Sequence, residues 1–277
     1  MAERQGFNWS FLKELVKRFM EDEVAGLSAQ LAYFFLLSLF PFLIFLVTLV
    51  AFLPFSHVDV LNFVREYAPV GTIDMIENNL NQILNNHNGK LLSFGIIATI
   101  WSASNGINAI VRAFNKAYDV KESRHFLVAR GMSIVLTFAM VFVIVVALLL
   151  PVFGKQIGLF FFSSFGLSEE FINIWNTIRW VVSACILFIV FSCLYFFAPN
   201  KRLHVKEVVS GAFFATFGWM FVSLGFSYYV TSFANYSATY GSLGGIIVLM
   251  IWFYLSGMII ILGGEINAIL NCQRVRK

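Results

Sequence analysis

Glu265 follows 57 residues, Val208 to Gly264, that carry no charge, and it is the one acidic residue deep inside an apolar stretch. An ionised carboxylate at membrane depth costs roughly several kcal/mol unless it is paired, hydrated or neutralised. Its chemistry would be the handling of an ion, or the gripping of a polar headgroup. Candidate partners at similar depth are Gln30, Asn105, Asn108 and Arg112. With Arg112 as counter-charge, they predict a polar cluster around Glu265 that lines a cytoplasm-facing cavity. The alternative is a salt bridge that only ties helix ends together. Asn267 lies two residues further on and faces elsewhere on a helix.

Other chemistry finds little support. No Gly-rich phosphate loop is present, and no Ser/His/Asp set falls at one depth. His57 and His87 belong to outer segments, His125 and His204 to inner ones, so they cannot share a metal. Cys185, Cys193 and Cys272 lack metal-ligand spacing, and they read as buried thiols rather than a disulfide framework. No catalytic residue, metal or cofactor is expected.

The elements that must position Glu265 are membrane spans. Hydrophobic residues make up 59% of the 277 and charged residues 12%, far from the balance of a soluble domain. Charge is missing from Val24–Ser56, Leu91–Val111, Gly131–Gly154, Trp180–Asn200 and Val208–Gly264. A span needs about 20 apolar residues, so these predict six transmembrane helices. Their bounds are about 25–53, 91–111, 129–151, 174–198, 207–232 and 243–270. The runs are continuous rather than alternating, which favours helices over a barrel. The fold class is an all-α integral membrane protein.

Fifteen of the nineteen Lys and Arg residues fall on the side that holds both termini. The positive-inside rule makes that side cytoplasmic, N-in and C-in. The excess of basic charge is explained by this asymmetry, and no nucleic-acid partner is expected. Residues 1–24 form a cytoplasmic segment in which Phe11, Leu12, Leu15, Phe19 and Met20 recur at helical spacing beside Lys13, Lys17 and Arg18. They predict an amphipathic helix on the cytoplasmic leaflet. A second amphipathic helix is expected in the first external loop, about 58–87. Residues 25–270 make one membrane domain, and 271–277 a basic tail.

Finer features follow within the spans. Pro41 predicts a kink in the first. Ala98, Ser102 and Gly106, spaced by four, allow close packing of the second. Gly211, Gly218 and Gly225, spaced by seven, make a packing stripe on the fifth. Ser168 with Glu169 and Glu170 marks the start of the helix that carries the fourth.

Several short runs taken in order carry a family resemblance. They are Leu31-Ala32-Tyr33 with Leu37-Ser38-Leu39-Phe40-Pro41, Trp101 to Gly106, and Ala113-Phe114-Asn115-Lys116-Ala117-Tyr118 with Arg124. Ala198-Pro199-Asn200 comes next, then Tyr240-Gly241 with Leu243-Gly244, Trp252, and Tyr254-Leu255-Ser256. Leu262-Gly263-Gly264-Glu265-Ile266-Asn267-Ala268 closes the set. The chain resembles the YihY/BrkB family of bacterial inner-membrane proteins over roughly 15–270. Gly264 departs from the Ala or other small residue expected there. The resemblance implies a six-helix protein of the bacterial inner membrane with a transport-like role. Such proteins have carried a ribonuclease BN label, which these residues do not support.

The first functional reading is therefore a transporter-like protein that moves a lipid, an amphiphile or an ion. Thirty-three Phe residues would suit a greasy lateral groove or a lipid-facing surface. Membrane lipids are the expected partners, and homo-oligomers are compatible with the sequence. The rival from another class is a scaffold that holds partners on its basic cytoplasmic face; a membrane-bound ribonuclease is a remote third.

Overall fold

The computed structural model describes residues 9–50, 89–140, 169–232 and 242–275. They form seven helices and, among the described residues, no strand. In chain order these are α1 (Trp9–Glu21), α2 (Val24–Val50), α3 (Gly89–Ala117), α4 (Phe126–Met140), α5 (Glu169–Phe197), α6 (Val205–Ser232) and α7 (Ser242–Val275). Five segments are long and apolar enough to cross a membrane: Val24–Phe45, Gly89–Ala117, Trp180–Phe197, Val205–Tyr229 and Gly244–Cys272. They correspond to the first, second, fourth, fifth and sixth expected spans. The expected third span is represented by α4, a shorter apolar helix; the remainder of it, and the expected outer helix at 58–87, lie outside the described residues. α2 continues as helix through Pro41, and α5 begins at Glu169.

The chain divides into two compact units, residues 34–103 and residues 1–33 with 104–277. In the smaller unit, Gly95 lies against the Phe45 backbone, where a Cβ would stand 3.0 Å from the Phe45 Cα. The larger unit packs α7 along α6, α6 along α5, and α1 on α7.

α6 shows how such helices associate. Its buried side is small: Val208, Gly211, Ala212, Ala215 and Thr216. Phe213, Phe217, Phe221, Leu224 and Tyr228, at intervals of three and four, are exposed. Hydrocarbon solvates large apolar groups as well as a protein core does, so helix contacts are left to small residues that let backbones approach.

Two connections are tied by side chains. Asp119 takes a left-handed φ of 51° at the end of α3. The Asp119 and Val120 amides then donate to the Lys116 and Asn115 carbonyls, which is a Schellman ending. Pro199 lacks the amide needed to continue α5. Arg124 donates to the carbonyls of Ala198 and Pro199. Asn115 accepts from the Asn200 amide at 2.7 Å, and Asn200 donates to Lys121 and Ser123. Asn115, Arg124 and Ala198-Pro199-Asn200 thus join the α3–α4 connection to the α5–α6 turn.

α1 differs from its expected form. Phe11 and Leu15 do not face outward: they pack against Ile266, Ile269, Leu270 and Phe214. Trp9, Leu12, Val16 and Met20 are exposed instead. α1 therefore has two apolar faces, and among the described residues only one is packed against the protein.

Candidate functional site

Glu265 lies on α7 with its side chain fully buried. Among the described residues, neither carboxylate oxygen accepts a hydrogen bond of ordinary geometry. The cation beside it is Arg18, whose Nη1 stands 3.6 Å from Oε2. Arg18 reaches this position because Phe11 and Leu15 seat α1 on α7, with Arg18 one and two turns further along the same side. Its guanidinium also donates to the Ala117 carbonyl at 2.9 Å and to Glu14 at 3.3 Å. One side chain therefore joins α1, the end of α3 and α7.

Asp22 is part of the same cluster. It follows α1 directly, in a turn where Glu23 adopts a left-handed φ of 55°. Burial raises the Asp22 carboxyl above its ordinary value, although Lys116 and Arg18 pull it down; Glu21 and Glu265 also act on it. The fold thus favours protonated Asp22 more than the unfolded chain does. Stability contributed by this group is present below the ordinary carboxylate value and is lost as pH rises above it, through the raised value of the folded state. Thermal midpoints in detergent are expected to fall across that window in the native chain. The fall should be smaller in Asp22→Asn, and equal slopes in the two proteins would count against it.

The other expected site residues stand elsewhere. Arg112 donates to Gln30 at 3.1 Å, and both are exposed. Asn105 accepts from Arg130 at 2.8 Å, and Asn108 accepts from Ser133. Those two contacts join α3 to α4. Glu265, Arg112, Asn105, Asn108 and Gln30 therefore make separate local contacts, and the counter-charge at Glu265 is Arg18 rather than Arg112.

The turn of α7 that holds Glu265 is packed tightly on three sides. A methyl at Gly211 would overlap the Gly263 carbonyl oxygen and the Asn267 amide. One at Gly263 would overlap the Tyr195 hydroxyl, which donates to Ile260 at 2.8 Å. At Gly264 a Cβ would meet the Phe114 ring at 2.6 Å, and that ring lies 5.1 Å from Tyr195. Of the expected packing stripe, Gly218 faces the tip of Ile259 at 3.2 Å, while Gly225 has nothing within 4 Å. Of the stripe on α3, Gly106 is buried, and Ala98 and Ser102 are half-buried.

Asn267 has a place that sequence spacing did not disclose. Its Oδ1 accepts from the Gly211 amide at 2.7 Å, and its Nδ2 donates to the Val208 carbonyl at 3.1 Å. The side-chain amide clips two α6 backbone groups, and only the absence of a side chain at Gly211 gives it room. Among the described residues, no group of three or more His, Cys, Asp and Glu could hold a metal ion.

The profile described as Virulence factor BrkB matches residues 15–277. The chain belongs to the BrkB family. YfkH of Bacillus subtilis (strain 168), named as ribonuclease-like, is 62% identical over 265 residues, 96% of each chain. A UPF0761 membrane protein of Vibrio parahaemolyticus is 30% identical over 95% of this chain and 83% of its own. One from Aliivibrio salmonicida is 26% identical over 95% and 84%. No solved structure matches. BrkB membership and the apolar helices make this a membrane protein. The Gly263 to Asn267 run quoted for the family is the one that carries the tight packing, Glu265 and the Asn267 clip.

Proposed function

We propose that this BrkB-family protein spans the bacterial plasma membrane six times, with both termini in the cytoplasm, and moves a lipid or similar amphiphile. A non-enzymatic role is part of this reading. The observation that carries it is a crevice of 530 Å³ between α6 and α7. Ser223, Ser227 and Trp252 give its wall polar atoms, among Phe226, Val248 and Leu249. Trp252 Nε1 donates to Ser223 Oγ at 3.4 Å, a long bond that a headgroup oxygen could replace. Such mixed lining suits a molecule with a polar head and an apolar body. A second crevice of 280 Å³ between α4 and α5 is walled by apolar groups such as Leu136, Ile189 and Leu194. Glu265 lies thirteen residues beyond Trp252 on α7, about 20 Å along the helix. The two polar places therefore fall at different depths.

Reconstitution in liposomes tests the reading. Purified protein is expected to carry a labelled phospholipid between leaflets. Ser223→Leu, which fills the crevice with an apolar group, should slow transfer while the protein stays folded. If the native protein moves no labelled lipid, the transport reading is overturned; stable co-purification with one partner would then favour a scaffold.

A further inference from the structure

We infer that the outward face of α1 is a docking surface for an anionic lipid leaflet, so that the bilayer itself holds Arg18 over Glu265. Trp9, Leu12, Val16 and Met20 follow one another at intervals of three, four and four, which places them in one stripe. Their exposures are 82%, 49%, 57% and 72%. The opposite apolar side is already occupied, since Phe11 and Leu15 rest on Ile266 and Ile269. Intramolecular packing therefore does not account for the stripe among the described residues.

The position of α1 says what meets it. Only Asp22 and Glu23 separate α1 from α2, and the apolar segment of α2 begins at Val24. The turn is closed by the Asp22 amide on Arg18 and the Glu23 amide on Met20. α1 also rests near the end of the apolar segment Gly244–Cys272. Two separate contacts thus hold the helix where membrane meets water. Charge selects the lipid. Lys13 and Lys17 are exposed and flank the stripe on one side; Lys17 meets Glu21 at 3.8 Å only across the surface. Lysine stems can lie along the leaflet while their heads reach anionic headgroups. A Trp at the rim suits the interfacial layer.

This inference does not rest on transport, and the readout below is the same whichever way the chain faces. Single nitroxide labels at Leu12→Cys, Val16→Cys or Ser10→Cys would be read in the full chain, with Cys185, Cys193 and Cys272 replaced. Nanodiscs would contain either phosphatidylcholine alone or an equimolar mixture with phosphatidylglycerol. Labels at 12 and 16 are expected to be open to oxygen and shielded from a water-soluble nickel chelate in the mixed discs, with Ser10→Cys giving the reverse. The shielding should weaken in phosphatidylcholine alone, and Lys13→Gln with Lys17→Gln should reproduce that loss in the mixed discs. Three outcomes overturn the inference. Labels at 12 and 16 as open to nickel as at 10 would mean no docking. Shielding from both reagents would mean a protein cover, by residues 1–8 or a second copy. Shielding that ignores phosphatidylglycerol would remove the part played by lipid charge.

Discussion

Gly211→Ala is expected to destabilise the protein by about 3 kcal/mol or more, the largest effect of any single methyl added to α6. The obstacle decides the size. A methyl there would overlap the Gly263 carbonyl oxygen, which belongs to the α7 backbone and cannot swing aside. It would also overlap the Asn267 amide, whose two hydrogen bonds to α6 would be lost with it. Separating the helices would leave that buried amide unpaired, at a further cost of about 1–3 kcal/mol. Gly218→Ala provides a middle case, because only the Ile259 side chain, with Cδ1 and Cγ2 at 3.2 Å, stands in the way and would have to give slightly. Gly225→Ala has nothing within 4 Å and should be neutral or slightly stabilising through helix propensity. Thermal midpoints in detergent are thus expected to rank 225, 218, 211 from highest to lowest. Equal midpoints for the 211 and 225 variants would mean that α6 and α7 do not approach closely.

The same three glycines show what sequence spacing could and could not convey. A period of seven announces one helix face, because side chains seven apart return to nearly the same azimuth. It cannot say where along that face a neighbour comes closest, and close contact is confined to a few turns when helices cross. The spans were legible for a different reason. Charge is so costly in hydrocarbon that its absence over twenty residues is a signal by itself, and four of the five charge-free runs carry the five segments fit to cross. The partner of Glu265 was less accessible. Sorting charges by side placed Arg18 and Arg112 at one membrane face, and nothing in that sorting chooses between them. The choice is made by Phe11 and Leu15 seating α1 on α7. Leu12 and Leu15 look alike in a periodic pattern, yet one is turned outward and the other is packed on α7. Asn267 was correctly placed away from Glu265, but its use depends on the Gly211 backbone 56 residues earlier.

Arg18→Ala is expected to cost about 1–3 kcal/mol, because it would leave the fully buried Glu265 side chain without its cationic neighbour and force it to take up a proton. Among the described residues Glu265 accepts no hydrogen bond of ordinary geometry, whereas Arg18 has other acceptors in the Ala117 carbonyl and Glu14. The pair is therefore asymmetric: Glu265→Gln should be milder than Arg18→Ala. Combining them should recover part of the stability lost in Arg18→Ala, since the charge needing compensation is gone. Arg112→Ala, which opens only the exposed contact with Gln30, should stay within about 0.5 kcal/mol of the native protein. A double-mutant cycle on thermal midpoints measures these couplings. If the cycle couples Glu265 to Arg112 and not to Arg18, the arrangement described for α1 is wrong. The lipid-transfer assay then separates structure from function at the same residue. A folded Glu265→Gln protein that moves lipid at the native rate would assign Glu265 to holding α1 alone. One that folds and moves none would assign it to transport, with α1 and its arginine as the cover over that carboxylate.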